Sequence, residues 1–186
     1  AEEFARKRRI QVPNVLTTPT AKALRKALTE LTPWGLAMQA GDGEPIDFRV
    51  EELREKAGAA NAQALSKSVH AAAQRGHYAF LYGRYPMVRA YQEKWNPGGL
   101  HDVLIEHINT EPFLQLVRDV TGFEDLIKAD GQATLFGRQH FLGLHQDLQV
   151  DEGWKVAYVL NMTVDGWRPD WGGYLLFYDD DGDVIE

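Results

Sequence analysis

Cysteine is absent from the 186-residue chain, which excludes a disulfide framework, thiolate zinc sites, cysteine nucleophiles and iron–sulfur ligation. Any metal must then be held by His, Asp or Glu. Positive charge is in the minority, with 20 Lys+Arg against 27 Asp+Glu and a formal net charge of −7. No nucleic-acid or anionic-membrane partner is expected, because such partners are gripped by a surplus of cations. Long apolar runs are also missing. No stretch reaches the ~20 residues that span a bilayer, and the charged start AEEFARKRRIQV has no apolar h-region behind it. These absences predict a soluble, cytoplasmic protein. At roughly 100–200 residues per domain, the chain has room for one domain with a sizeable core.

What is present changes character near residue 130. Thr18 is placed to cap a helix with Pro19 in its first turn, and Leu24, Ala27, Leu28 and Leu31 repeat as one buried stripe. Residues 31–45 suit a short strand and a Gly-rich hairpin turn. From Val50 to Arg75 the Ala-, Glu-, Gln- and Lys-rich composition predicts one or two helices, interrupted at Gly58 and stopped at Gly76. HYAFLYGRYPM, residues 77–87, reads as a buried strand or connection. Leu100, Val103, Leu104 and His107 space as one helical face, and Thr110 caps a further helix that ends at Gly122. After Asp130-Gly131 the period switches to two, and QATLFG, QHFLGLH, WKVAYVLNMTV and GGYLLFYDDDG predict strands. DDDGD reads as a solvated hairpin tip, since a calcium loop needs a longer ligand pattern.

The chemistry concentrates in His145-Gln146-Asp147. Residues i and i+2 of an extended chain project to the same side about 6–7 Å apart, so an imidazole and a carboxylate there can converge on one ion. Such a pair supplies two ligands of the 2-His-1-carboxylate triad that holds non-heme Fe(II). A surface His beside a surface Asp is the bland alternative. The remaining histidines are weaker candidates. His107 reads as a hydrogen-bonded core residue, His70, His77 and His101 as surface or capping residues, and His140 faces away from His145 in a strand. Arg138 reads as a solvated loop cation that could lean over the site mouth.

The stretch ADGQATLFGRQHFLGLHQD, followed by AYVLNMTVDGWRPDWGGYLLFYDDDGDVI, resembles the 2-oxoglutarate- and Fe(II)-dependent oxygenases of the prolyl-hydroxylase type, in particular their bacterial proline-hydroxylase-like branch. The resemblance implies an α+β chain with a double-stranded β-helix (jelly-roll) core, in which residues 1–128 form a mainly helical support and 129–186 the first strands. It implies His145 and Asp147 as iron ligands. Phe136, Leu142, Tyr158 and Asn161 resemble positions lining the cosubstrate pocket, with ordinary core filling as the alternative. Trp167, Trp171, Gly172 and Gly173 resemble the branch's WxPDWGG connection, a scaffold element. Implied with them are Fe(II), 2-oxoglutarate as cosubstrate, and a small-molecule or peptidyl-proline substrate that is hydroxylated as 2-oxoglutarate gives succinate and CO2.

The family pattern also calls for a second His on a later strand and a basic residue pairing the far carboxylate of 2-oxoglutarate. No His follows His145 and no Arg follows Arg168. The expectation is therefore that the second half of the β-helix is missing from this chain, which would leave an unpaired sheet edge. The competing reading is a non-catalytic β-helix-like binding domain, a pseudo-oxygenase. Oligomeric state is not legible.

Overall fold

The computed structural model describes residues 1–147, 153–163 and 166–185. The protein is α+β: seven helices and an open, five-stranded antiparallel sheet, with no jelly-roll closure among the described residues. Helix α1 (Glu2–Lys7) precedes α2 (Thr18–Glu30), β1 (Gly35–Ala40), β2 (Ile46–Phe48), α3 (Val50–Arg54) and α4 (Lys56–Gln74). Then come β3 (Ala79–Tyr85), α5 (Met87–Gln92), α6 (Leu100–Ile108), α7 (Glu111–Thr121), β4 (Ala133–Leu135) and β5 (Phe141–Leu142). No helix among these residues is long and apolar enough to cross a membrane.

Local chemistry explains most element boundaries. The hydroxyl of Thr17, one residue before the sequence expectation, accepts from the Thr20 amide at 3.4 Å and caps α2, with Pro19 in the first turn. Helix α7 starts after Thr110 and stops at Gly122, whose φ of 78° is the left-handed C-terminal geometry that glycine adopts without a Cβ clash. The break between α3 and α4 falls at Glu55, which is extended, and Gly58 sits inside α4. The helix continues through Gly58 because eighteen neighbours, many of them alanine, hold it.

Strand β3 is the centre of the sheet. β1 occupies one of its edges, pairing Gly35 with Arg84 and Ala40 with Ala79. Along its other edge β4 lies opposite Gly83–Tyr85 and β5 opposite Phe80–Leu81. These two short strands are one edge strand interrupted by an excursion. Between Leu135 and Phe141 the chain advances six residues while β3 advances two, so four residues loop out, with Gln139 at a φ of 66°.

The two faces of β3 differ. Ala79 and Leu81 join Met38 of β1 and Ala62, Val69 and Ala72 of α4 in one core, and α4 covers that face. Tyr85 joins Met87, Ala90, Ile105, Ile108 and Phe113 in a second core under α5, α6 and α7. The opposite face of β3 carries Phe80 and Tyr82 over Ala37. Met38 and Val69 have no exposed surface, and each such side chain contributes about 1.5–3 kcal/mol by leaving water.

Several expectations are corrected here. Helix α6 buries His101, Asp102, Ile105 and Ile108, whereas Val103 and His107 are exposed. The buried face is shifted by one residue because Tyr85 and Thr32 receive the His101 ring. Leu31 is exposed, since α2 ends at Glu30 and the chain turns there. Residues 154–163 form no strand, and neither does GGYLLFY, although both are rich in the apolar and aromatic residues that favour strands. A strand needs a neighbour's N–H and C=O groups, and beyond residue 147 the described residues form only the Pro169–Trp171 3-10 turn and one bridge, Tyr178 to Val184. Val164, the end of the first run, lies outside the described residues. The acidic tip behaves as read: Asp179 Oδ1 accepts from the amides of Asp181 and Asp183 within the turn that the bridge closes.

Candidate functional site

The His145-Asp147 pair follows β5 directly. Gly143 N donates to the Ala79 carbonyl at 3.0 Å, which continues the attachment of this segment to β3 past the last paired strand residue. His145 then turns back: its Nδ1 lies 3.0 Å from the Gly143 carbonyl, and its Nε2 lies 3.1 Å from Asp147 Oδ1. The two side chains thus converge, as the i, i+2 spacing predicts, although the segment beyond the sheet is irregular chain with a bend at Leu144 and not a strand. Both are open to solvent, Asp147 more than His145.

The geometry of the pair suits a cation. The Gly143 carbonyl and the Asp147 carboxylate both only accept, so a neutral ring with its one hydrogen on Nδ1 presents a lone pair at Nε2 towards Asp147. Two acceptors facing each other need a cation between them, a proton or a metal ion. Ligand atoms in adjacent positions of an octahedral ion, each about 2.1 Å from it, lie ~3 Å apart. The observed 3.1 Å matches that separation. Imidazole nitrogen with carboxylate oxygen is a donor set suited to Fe(II). Among the described residues no group of three His, Asp or Glu side chains gathers to complete a ligand set.

The pair stands at the end of a row of rings on the face of β3 opposite α4, where Phe80 and Tyr82 are buried. His145 lies 6.5 Å from the Tyr78 ring, Tyr78 6.0 Å from Phe80, Phe80 5.2 Å from Tyr82, and Tyr82 5.4 Å from Phe136. The phenols of Tyr78 and Tyr82 are pushed above the usual tyrosine range, chiefly by burial; the Asp147 carboxylate adds to the effect at Tyr78. Both stay protonated donors at neutral pH.

Of the four positions expected to line a cosubstrate pocket, two share this face. Phe136 ends the row of rings, and Leu142 sits opposite Phe80, so the two side chains point to the same side of the sheet. Tyr158 and Asn161 make their contacts elsewhere. The Tyr158 hydroxyl donates to the Asp130 carbonyl at 2.9 Å beside the Phe113 ring, and burial pushes its phenol up to about 12. Asn161 is exposed and its side chain accepts from the Thr163 amide at 2.9 Å. Trp167 and Trp171 pack edge to face, and Trp167 Nε1 donates to the Gly172 carbonyl at 2.8 Å. Gly172 and Gly173 have φ of 75° and 78°, backbone that glycine adopts without a Cβ clash.

The other histidines have other partners. His140 Nδ1 lies 3.1 Å from the Gly137 amide and 3.0 Å from the Leu135 carbonyl, inside the excursion. His70 bridges the Ser66 carbonyl of its own helix to the Gln139 carbonyl, which fastens that excursion to α4. Arg138 lines an open cavity there with Ser66, His70 and His140. His101, read as a surface or capping residue, is buried with its Nε2 2.9 Å from the Thr32 hydroxyl. Tyr78 and Gly143 were not legible as site residues. Their signals were the alternation of rings at 78, 80 and 82 and the Gly two positions before a His. Comparison with known protein families, with curated proteins and with solved structures finds no match.

Proposed function

We propose that the protein is an Fe(II)- and 2-oxoglutarate-dependent oxygenase of the prolyl-hydroxylase type, hydroxylating an unactivated C–H bond of a prolyl or other amino-acid side chain. The observation that supports it is the 3.1 Å approach of His145 Nε2 to Asp147 Oδ1, the spacing of two adjacent ligands on an octahedral ion. In this reading the open sheet is part of a double-stranded β-helix, and its aromatic face is the interior wall.

His145 and Asp147 would hold the iron, which with 2-oxoglutarate and O2 supplies the oxidising chemistry and releases succinate and CO2. The chain's own contribution is placement and shielding. Asp147 contributes negative charge that favours a divalent cation over a monovalent one. Tyr78, Phe80, Tyr82, Phe136 and Leu142 make one flank apolar, and so limit water next to the reacting atoms. The Tyr78 hydroxyl, protonated at neutral pH, is a donor for a polar group of cosubstrate or substrate.

The test is anaerobic addition of Fe(II) and 2-oxoglutarate to the full natural reading frame, watched for the visible charge-transfer band, followed by oxygen and measurement of succinate. A band that is lost in His145→Ala, with succinate formed by the wild type, supports the reading. No band in the wild type, or the same band in His145→Ala, overturns it. The absence of a third ligand among the described residues favours one alternative, a β-helix-like domain that binds without turnover. A band with no succinate, in the presence of candidate prolyl peptides, would select that alternative.

A further inference from the structure

Resting on the proposed metal pair, we infer that Gly143 is a positioning residue for His145, and that its backbone fixes which ring nitrogen faces the metal. Three observations meet at this glycine. Its amide is tied to the Ala79 carbonyl of β3 at 3.0 Å. A Cβ added to it would meet that same carbonyl oxygen at 2.9 Å and the Tyr78 ring at 3.5 Å. Its own carbonyl lies 3.0 Å from His145 Nδ1.

The close approach explains why the position is glycine. Any side chain here has to push the segment away from backbone, which cannot yield as a flexible side chain can. The glycine therefore sits flush against the sheet, and its carbonyl inherits the rigidity of β3. The carbonyl can only accept, so it selects the ring form with hydrogen on Nδ1 and directs Nε2 towards Asp147. Asp147 competes for the same ring by attracting a hydrogen to Nε2. It sits on an exposed side chain with rotational freedom, whereas the Gly143 carbonyl belongs to a residue whose amide is bonded to Ala79 of β3. Tyr78 packs against the ring from the side and limits its swing.

The decisive measurement is the ring-nitrogen spectrum of histidine-labelled, metal-free protein at pH 8, with Zn(II) titrated afterwards as a diamagnetic probe. His145 is expected to carry its hydrogen on Nδ1 in the wild type. Gly143→Ala is expected to lose that preference and to bind Zn(II) about 10- to 100-fold more weakly, the range for loss of an orienting partner. Gly137→Ala, in the excursion between β4 and β5, is the control. Its Cβ would meet only the His140 ring, at an ordinary 3.7 Å, and its spectrum and affinity should match the wild type. A wild-type ring with hydrogen on Nε2, or wild-type Zn(II) affinity in a folded Gly143→Ala, overturns the inference. Should Gly143→Ala fail to fold, the wild-type spectrum alone decides. Absence of Zn(II) binding by the wild type would sink the iron reading instead, while the ring form of the metal-free protein still judges the orienting contact.

Discussion

Asn109 and Ala129 are joined by a two-way bond: Asn109 Nδ2 donates to the Ala129 carbonyl at 2.9 Å, and Asn109 Oδ1 accepts from the Ala129 amide at 2.9 Å. The same Nδ2 also donates to the Ile105 carbonyl at 2.9 Å, so one amide closes the end of α6 and pins the loop that leads into β4. Asn109→Ala removes all three contacts. At a net value of about 0.5–1.5 kcal/mol per bond, already set against exchange with water, the three contacts predict a loss of ~1.5–4.5 kcal/mol. The urea midpoint should fall with an unchanged slope. Asn109→Asp should be no better, since it sets a carboxylate oxygen against the two carbonyls.

Met38 has no exposed surface and lies between α4 and Leu81 of β3. Met38→Ala should cost about 2–5 kcal/mol by transfer and cavity terms together. Met38→Leu, which keeps most of the volume, should cost less than ~1.5 kcal/mol. Thermal unfolding of the two variants side by side checks the ordering.

His101 supplies a pH dependence. Burial against Tyr85 holds its ring below the usual histidine value of 6.5, with the Asp102 carboxylate pulling in the opposite direction. The unfolded chain then binds the proton more readily than the folded one. Stability contributed by the neutral ring is fully present above pH 6.5 and is lost as pH falls from there through the depressed folded value. His101→Gln, which can still reach the Thr32 hydroxyl, should flatten the decline in melting temperature below pH 6.5. An equally steep decline in that variant would assign the effect to other groups.

Asp147 gives the sharpest test of the metal pair. Asp147→Asn keeps size and one acceptor but removes the charge that faces His145 Nε2. Affinity for Co(II) or Zn(II), measured calorimetrically, should fall at least ~10-fold, the equivalent of 1.4 kcal/mol. Phe136→Ala, at the far end of the row of rings, should leave that affinity unchanged.

Helices and the central strand were legible because their signals are local. Pro19, Gly76, Thr110 and Gly122 mark boundaries within one or two residues, and the alternating rings of HYAFLYGRYP mark a strand. The face of α6 was misread because its pattern depends on a distant partner: Thr32 and Tyr85 draw His101 inward, and nothing within 100–108 announces that. The pair His145-Asp147 could be read from spacing alone, since the two residues lie only two positions apart in the chain. Gly143 could not, because the carbonyl it must clear belongs to Ala79, sixty-four positions earlier in the chain. The runs at 154–163 and 174–178 show the limit of strand-favouring composition, which marks chain suited to a sheet and not which backbone will pair.

The excursion between Leu135 and Phe141 has a consequence for how this edge can vary. Four is an even number, and side chains alternate along an extended chain, so Phe141 returns to the side from which Leu135 left and packs with Leu81 under α4. Shortening the excursion by two residues, or by all four, would preserve handedness of placement for everything downstream. Removing one or three would invert it, turning Phe141 to solvent and sending the approach to His145 across the wrong side of the sheet. Length at this edge is thus constrained by parity more tightly than by size.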